Sequence, residues 1–340
     1  MKKSFWLILA IAAILGLCFL ELILGSADIS GREIWDALLG NEQNAEKQYI
    51  TTIVFESRIP RILTAITAGA GLSVCGLMLQ TYFRNPLAGP GVLGISSGAS
   101  LGVALVILGG GTLGAFSSFK NFAIPLAAIL GSAIVLLVIL FAARKLKDQL
   151  SLLIIGLMLG YLTAGIVSVL QFGATEESIK AMVFWGLGSF QAATWSQLTI
   201  MMCLVIPALL VSILLSKSLN AMLLGEEESA TVGLNFKQMS IVILVLSGVM
   251  TGIVTATCGP IAFIGLSVPH LVRSWFKSSD HKLLLPASLL FGMIIALFCD
   301  LMSRMPWTEQ SLPLNAVTSL IGAPVVLSIV LRSRGLKSFY

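Results

Sequence analysis

Long apolar runs recur along this chain, and each is close to the length that crosses a lipid bilayer. A helix rising about 1.5 Å per residue needs roughly 20 mostly apolar residues to pass about 30 Å of hydrocarbon, where an unpaired backbone group is too costly to leave bare. Ten windows meet or approach that length: 6–24, 62–82, 92–109, 123–143, 150–172, 196–216, 238–257, 260–276, 283–303 and 315–332. The third and eighth are short and rich in Gly and Pro. Composition agrees, since 57 % of the 340 residues are apolar and 11 % charged, against about 25 % charged in a soluble domain. The expectation is an all-α polytopic membrane protein of about ten transmembrane helices. It forms one membrane domain over 1–340, with a larger first outer loop at about 25–61 and no fused catalytic domain.

Lys2 and Lys3 precede the first run, which continues past the usual apolar core of a signal peptide and has no clear small-residue cleavage site, so it reads as a retained first helix. An even number of spans puts both termini on one side. That side collects Lys2, Lys3, Arg84, Arg144, Lys145, Lys147, Lys217, Lys237, Arg273, Lys277, Lys282, Arg332, Arg334 and Lys337. The other holds Arg32, Lys47, Arg58, Arg61, Lys120, Lys180 and Arg304. The bias makes the first side, with both termini, cytoplasmic. The loop at about 217–236, with its run Glu226, Glu227 and Glu228, is then cytoplasmic too. The net charge of +5 follows from that inner-face excess, and no basic stripe interleaved with aromatics points to nucleic acid. Cys18, Cys75, Cys203, Cys258 and Cys299 fall inside apolar runs without metal-ligand spacing, so no metal site is expected.

The two halves resemble one another. TAGAGLSVCGLMLQ (67–80) is similar to LSGVMTGIVTATCG (246–259), and each precedes a segment interrupted by Gly and Pro, NPLAGPGVLG and GPIAFIGLSVPH. The copies would run in opposite directions, the pattern of an inverted repeat, although small-residue helices also resemble each other by composition. Broken segments are tolerated at membrane depth only where protein buries them or where they line a cavity, which points to a pathway between the halves.

Enzyme motifs are weak. GISSG (94–98) matches a nucleophile pattern, but in a membrane-helix context with only His270 and His281 as partners. No HExxH, EF-hand or P-loop sequence occurs, so the chain binds no ATP through a P-loop of its own. His270, between a proline and Arg273, reads as a structural residue near the inner face. Asp300 and Arg304 stand as i, i+4 neighbours near the outer end of the ninth window and can pair there.

The run RIPRILTAITAGAGLSVCGLMLQTYFRNPLAGPGVLGISSGASLG (58–102) resembles the signature of the FecCD/BtuC-type permease family, the membrane subunits of ATP-binding-cassette importers for siderophores, haem and cobalamin. FWGLGSFQAATW (184–195), LLGEEESATVGLN (223–235) with GPIAFIGLSVPHLVR (259–273), and SLPLNAVTSLIGAPVV (311–326) agree in order, so the resemblance covers essentially the whole chain. It implies a homodimer in the bacterial cytoplasmic (inner) membrane, a path along the two-fold axis, two cytoplasmic ATPase subunits carrying ATP and Mg, and an extracytoplasmic substrate-binding protein. No cofactor is expected on this chain itself, and its only other partner is membrane lipid.

The resemblance places coupling helices for the ATPase in the loop between the sixth and seventh helices, here Leu219, Met222, Leu223, Gly225, Glu226, Glu227, Glu228 and Ala230. Leu219, Met222, Leu223 and Ala230 can present an apolar face and the glutamates a polar rim. It also implies that Arg58, Arg61 and Arg304 meet acidic residues of the binding protein, and that Asn85, Pro86 and Leu87 form a cytoplasmic gate, with Gln149, Leu150 and Ser151 beside it. The alternative is an ion-coupled secondary transporter, which predicts an ionisable residue near the bilayer midplane. Apart from Glu21, Asp300 and basic residues at helix ends, the windows hold none.

Overall fold

A computed structural model describes residues 2–25, 29–39, 45–109, 120–146, 148–191, 193–304 and 311–332. Lys147, Arg334 and Lys337 of the charge-bias reading lie outside the described residues, as do the side chains of Lys2, Lys3, Lys47, Lys120 and Arg332.

Among the described residues the chain forms fifteen α-helices and no strand. They are α1 (Lys2–Ile23), α2 (Gly31–Leu38), α3 (Ala45–Ile53), α4 (Ile59–Tyr82), α5 (Ile95–Ile107), α6 (Lys120–Lys145), α7 (Gln149–Phe172) and α8 (Glu176–Gly186). There follow α9 (Trp195–Leu214), α10 (Ser216–Met222), α11 (Glu226–Thr231), α12 (Phe236–Cys258), α13 (Ile264–Phe276), α14 (His281–Ser303) and α15 (Leu314–Arg332). Seven described helical stretches are long and apolar enough to cross a membrane. The windows at 92–109, 260–276 and 315–332 are filled by the shorter α5, α13 and α15.

The stretch 25–61, read from sequence as a loop, is largely helical. Ser30 and Glu33 form a capping box that starts α2, and α3 passes through one π turn, Val54–Arg58, directly into α4. The π turn stands just before Pro60, whose ring and missing N–H would break an α-helical ladder at that point.

Helix α4 is the hub. Of its membrane-length window 89 % is buried, and of that in α12 72 %, whereas α1 and α7 have 11 % and 17 % buried. The latter two therefore turn most of their apolar surface outward, as a lipid-facing ring does, while α4 and α12 run through the middle. Small residues make the close approaches possible, because helices in lipid gain from van der Waals packing rather than from a hydrophobic drive. A Cβ on Gly69 would stand 2.3 Å from the Gly292 carbonyl of α14, and one on Gly76 would stand 1.6 Å from the Gly265 carbonyl of α13.

The internal similarity has a packing counterpart. Aligning 67–80 with 246–259 pairs Gly69 with Gly248 and Ser73 with Gly252. Gly69 and Ser73 of α4 pack on Gly292 of α14; Gly248 and Gly252 of α12 pack on Leu136 and Ser132 of α6. Each repeat is also followed by a short helix whose N-cap has positive φ, Gly94 (+72°) before α5 and Phe263 (+66°) before α13. That geometry is unfavourable for a bulky side chain, and Phe263 is held in it by its surroundings.

Gly76→Ala is expected to prevent the permease from packing, at a cost at or above the upper end of the about 1–3 kcal/mol typical of overpacking. Gly91→Ala, with nothing within 4 Å of its Cβ position, is the control. The monodisperse fraction in detergent reads the difference; equal yields of the two variants would contradict the packing account.

Candidate functional site

Chemistry-bearing side chains gather at opposite ends of α4 and α14. The first group surrounds Asn220 in α10. Its Nδ2 donates to Asp280 Oδ1 (2.7 Å), and its Oδ1 accepts from the His281 backbone N–H (2.8 Å) and faces His281 Nδ1 at 2.7 Å. A carbonyl oxygen only accepts, so Nδ1 carries the imidazole proton. Nε2 is then left to accept from the Thr81 hydroxyl of α4 at 2.7 Å. Arg273 of α13 donates to the same hydroxyl oxygen at 3.3 Å. His281 is fully buried, and this network satisfies both of its ring nitrogens. The Asp280 carboxyl is held below the usual range, first by the Asn220 amide and then by the Lys282 N–H. A depressed pKa means the tie is complete at neutral pH and lost only as pH falls through that lowered value.

The loop that carries Asn220 is a pair of short helices, α10 and α11, joined through Gly225. Gly225 has φ +116°, and a Cβ there would stand 2.8 Å from both Arg84 Nη2 and Glu228 Oε2. Glu226, Glu227 and Glu228 are exposed in the first turn of α11, where negative charge suits the helix N-terminus. Ala230 is exposed and Leu223 half-buried. The single apolar face expected of Leu219, Met222, Leu223 and Ala230 does not form. Leu219 (0 % exposed) and Met222 (1 %) turn into the bundle core, because α10 lies against α14 and α4, and they fasten the helix there. The large exposed apolar side chains of this loop are Leu224 (54 %) and Val232 (60 %).

Asn85, Pro86 and Leu87 follow directly on the end of α4. Asn85 Oδ1 accepts from the Leu87 N–H at 2.9 Å, and its own N–H reaches the Gln80 carbonyl at 3.2 Å. The side chain thus caps the break in the backbone, while Leu87 is 41 % exposed. Gln149, Leu150 and Ser151 open α7, where Asp148 accepts from the Leu150 and Ser151 N–H groups. The Ser151 hydroxyl first, and then the Ser151 and Leu150 N–H groups, hold the Asp148 carboxyl below its usual range. Ser96 of GISSG faces the Thr255 hydroxyl at 3.2 Å, with no histidine among its bonded partners.

The second group lies at the other end of α4 and α14. Asp300 accepts two bonds from Arg61, Nε to Oδ2 (2.7 Å) and Nη2 to Oδ1 (2.9 Å), and two from Arg304, Nη2 (3.0 Å) and Nε (3.3 Å) to Oδ2. Arg304 also pairs with Glu21 Oε2 (3.2 Å) and donates to the Glu21 and Leu24 carbonyls at 2.9 and 2.8 Å. Arg58 caps the carbonyls of Leu22 and Ile23 at the end of α1. The side chains of Glu21, Asp300, Arg304 and Arg61 are 0, 1, 8 and 12 % exposed. All three arginines are thus committed within the chain, and Arg61 Nη1 reaches the exposed Gln191 at 3.1 Å. Pairing at i, i+4 foretold the Asp300–Arg304 contact, but nothing local marked Arg61 or Glu21 as members.

A third polar hub was not foreseen. Asn315 Nδ2 donates to the carbonyls of Pro260 (2.7 Å) and Gly186 (3.1 Å), and Oδ1 accepts from the Ala262 N–H (3.0 Å). Its backbone N–H reaches the Leu187 carbonyl at 3.1 Å. One side chain therefore closes the break between α12 and α13 onto the end of α8. Among the described residues no group of His, Cys, Asp and Glu is placed to hold a metal ion. His270 is buried in α13, and the five cysteines are free thiols without a disulfide, Cys203 being exposed.

A profile of the FecCD transport family matches residues 11–332. The haemin transport system permease HmuU of Yersinia pestis is 34 % identical over 318 residues, 93 % of this chain and 94 % of that one. The vitamin B12 import system permease BtuC of Klebsiella pneumoniae subsp. pneumoniae is 35 % identical over 283 residues, 83 % of each chain. A metal-chelate type ABC transporter solved in an inward-facing conformation superposes with TM-score 0.84 at 29 % identity, covering 97 % of this chain and 99 % of that one.

Asp300→Asn removes the buried anion held between two part-buried arginines, and breaking a buried pair typically costs about 3–5 kcal/mol. The variant is expected to melt well below the parent in detergent; an unchanged melting curve would show that the cluster is not coupled to folding.

Proposed function

The chain belongs to the FecCD transport family, and on that premise we propose how it moves its cargo. It is a multi-pass membrane permease, the transport subunit of an ATP-binding-cassette importer. In the proposed assembly two copies face each other across a two-fold path in the bacterial cytoplasmic membrane, with their termini in the cytoplasm. A separate ATPase, carrying ATP and Mg, binds under each copy, and an extracytoplasmic binding protein delivers the cargo. The cargo is proposed to be a bulky metal chelate, the class that includes haem, cobalamin and ferric siderophores.

The observation that carries the proposal is the construction of the α10–α11 loop. Leu219 and Met222 bury one side in the bundle, while Glu226, Glu227, Glu228, Leu224 and Val232 face outward. An apolar patch beside acidic side chains suits a protein partner, the charges steering association and orientation. Leu223, Gly225 and Ala230 shape the same surface. ATP-driven closure of the two ATPases would move α10, and the gate of Asn85, Pro86 and Leu87 would respond, as two packings of one interface exchange.

At the opposite end Arg61 and Gln191 offer the binding protein a polar edge. Arg58 and Arg304 contribute to that docking surface from beneath it, Arg58 by tying the end of α1 to the start of α4 and Arg304 by tying it to the end of α14. An ion-coupled mechanism would use Glu21 and Asp300, but these carboxylates are already engaged by Arg304 and Arg61.

The test is the mass of the detergent-purified permease after co-expression with its ATPase. Leu224→Asp combined with Glu226→Lys and Glu227→Lys should leave the permease melting curve intact and weaken ATPase retention at least about tenfold. Full retention by the triple variant would overturn the docking surface.

A further inference from the structure

Arg84 stands between the loop proposed to dock the ATPase and the segment proposed to gate the path. It is the first residue beyond the C-cap of α4 and has φ +46°, a left-handed conformation that side chains other than glycine rarely adopt. That turn aims its guanidinium at α10, where Nη2 donates to the carbonyls of Met222 (3.3 Å) and Leu223 (3.2 Å), which terminate that helix. The next residue is Asn85, so a single peptide separates the clamp on α10 from the gate. A second tie runs in parallel. From Asn220 of α10 it passes through His281 to Thr81, in the last turn of α4 and three residues before Arg84. Both ties leave α10, one ending on the last turn of α4 and the other on the residue just beyond its C-cap. Gly225 leaves room for the first of them, since any Cβ there would press on Arg84 Nη2.

We propose that Arg84 is a positioning residue that transmits movement of the α10–α11 pair to the Asn85–Leu87 segment, with Asn220, His281 and Thr81 as a supporting tie. The inference rests on the α10–α11 loop being the ATPase dock. A displacement of α10 carries the Met222 and Leu223 carbonyls with it, and the guanidinium that bridges them draws the end of α4. A plain C-terminal cap would instead stabilise α10 without linking nucleotide state to the gate. The left-handed backbone separates the two roles: Arg84→Gly relieves the conformation while removing the clamp.

The experiment uses the permease–ATPase complex with Leu87→Cys in a Cys203→Ser background, because Cys203 is the exposed native thiol. The rate of maleimide labelling is compared without nucleotide and with ATP and vanadate. The parent is expected to change rate by at least about 5-fold and the Arg84→Gly variant by less than about 2-fold, with the ATPase still bound and the melting temperature not lowered. Arg84→Lys, whose single amine can hold one carbonyl, should recover part of the response, and Asn220→Ala should lose part of it. An undiminished response in Arg84→Gly overturns the proposal, as does a response lost only because the ATPase dissociates. If Arg84→Gly yields no complex, an undiminished response in Arg84→Lys and Asn220→Ala overturns it equally. Failure of the parent itself to retain ATPase would instead refute the docking reading, and this inference with it.

Discussion

Hydrocarbon supplies no water, so every polar group that the chain carries into the bilayer must find its partner within the protein. The architecture depends on how that demand is met. At one end of α4 the carboxylate of Asp300 is forked by Arg61 and shared with Arg304, which in turn caps α1 through Glu21 and Leu24. The cluster draws together α1, α4 and α14 with charges that would be prohibitively costly alone. At the break after α12, where the helical ladder stops at Cys258, Asn315 supplies both donors and its acceptor to the freed backbone groups. The network of Asn220, His281, Thr81 and Arg273 does the same at the other end.

Helix α4 joins these ends, and its burial makes it the rigid member against which the others are positioned. Its glycines let α13 and α14 approach to backbone contact, and the matching approach of α12 to α6 repeats the arrangement in the second half. Short helices that begin at left-handed residues, Gly94 and Phe263, follow both central helices. Each central helix is thus followed by a break in the membrane domain, one beside the α10–α11 loop and one beside Asn315.

Much of this was legible in the sequence because lipid imposes length and polarity on every span. Seven windows became long helices, and the Gly- and Pro-rich ones became the short α5 and α13. Asp300 and Arg304 were readable as neighbours because helical spacing is local. Arg61 and Asp300 lie far apart in sequence and meet only when α4 packs on α14, so no local signal marks them. The inward turn of Leu219 and Met222 was missed for a related reason. A short helix can offer its apolar residues to either neighbour, and only the packing of α10 on α14 and α4 decides which. The helix from 45 into α4 was hidden by Pro60, which a π turn accommodates.

In the mechanism proposed above, ATP on a partner protein, not an ion gradient, drives a metal chelate through this chain. Proteoliposomes holding the permease, its ATPase and its binding protein would be offered haemin, cyanocobalamin and a ferric hydroxamate in turn. The account predicts that one of these accumulates only when ATP and Mg are supplied on the ATPase side, and that a protonophore or removal of sodium leaves the rate unchanged. Accumulation driven by a proton or sodium gradient without ATP would contradict it.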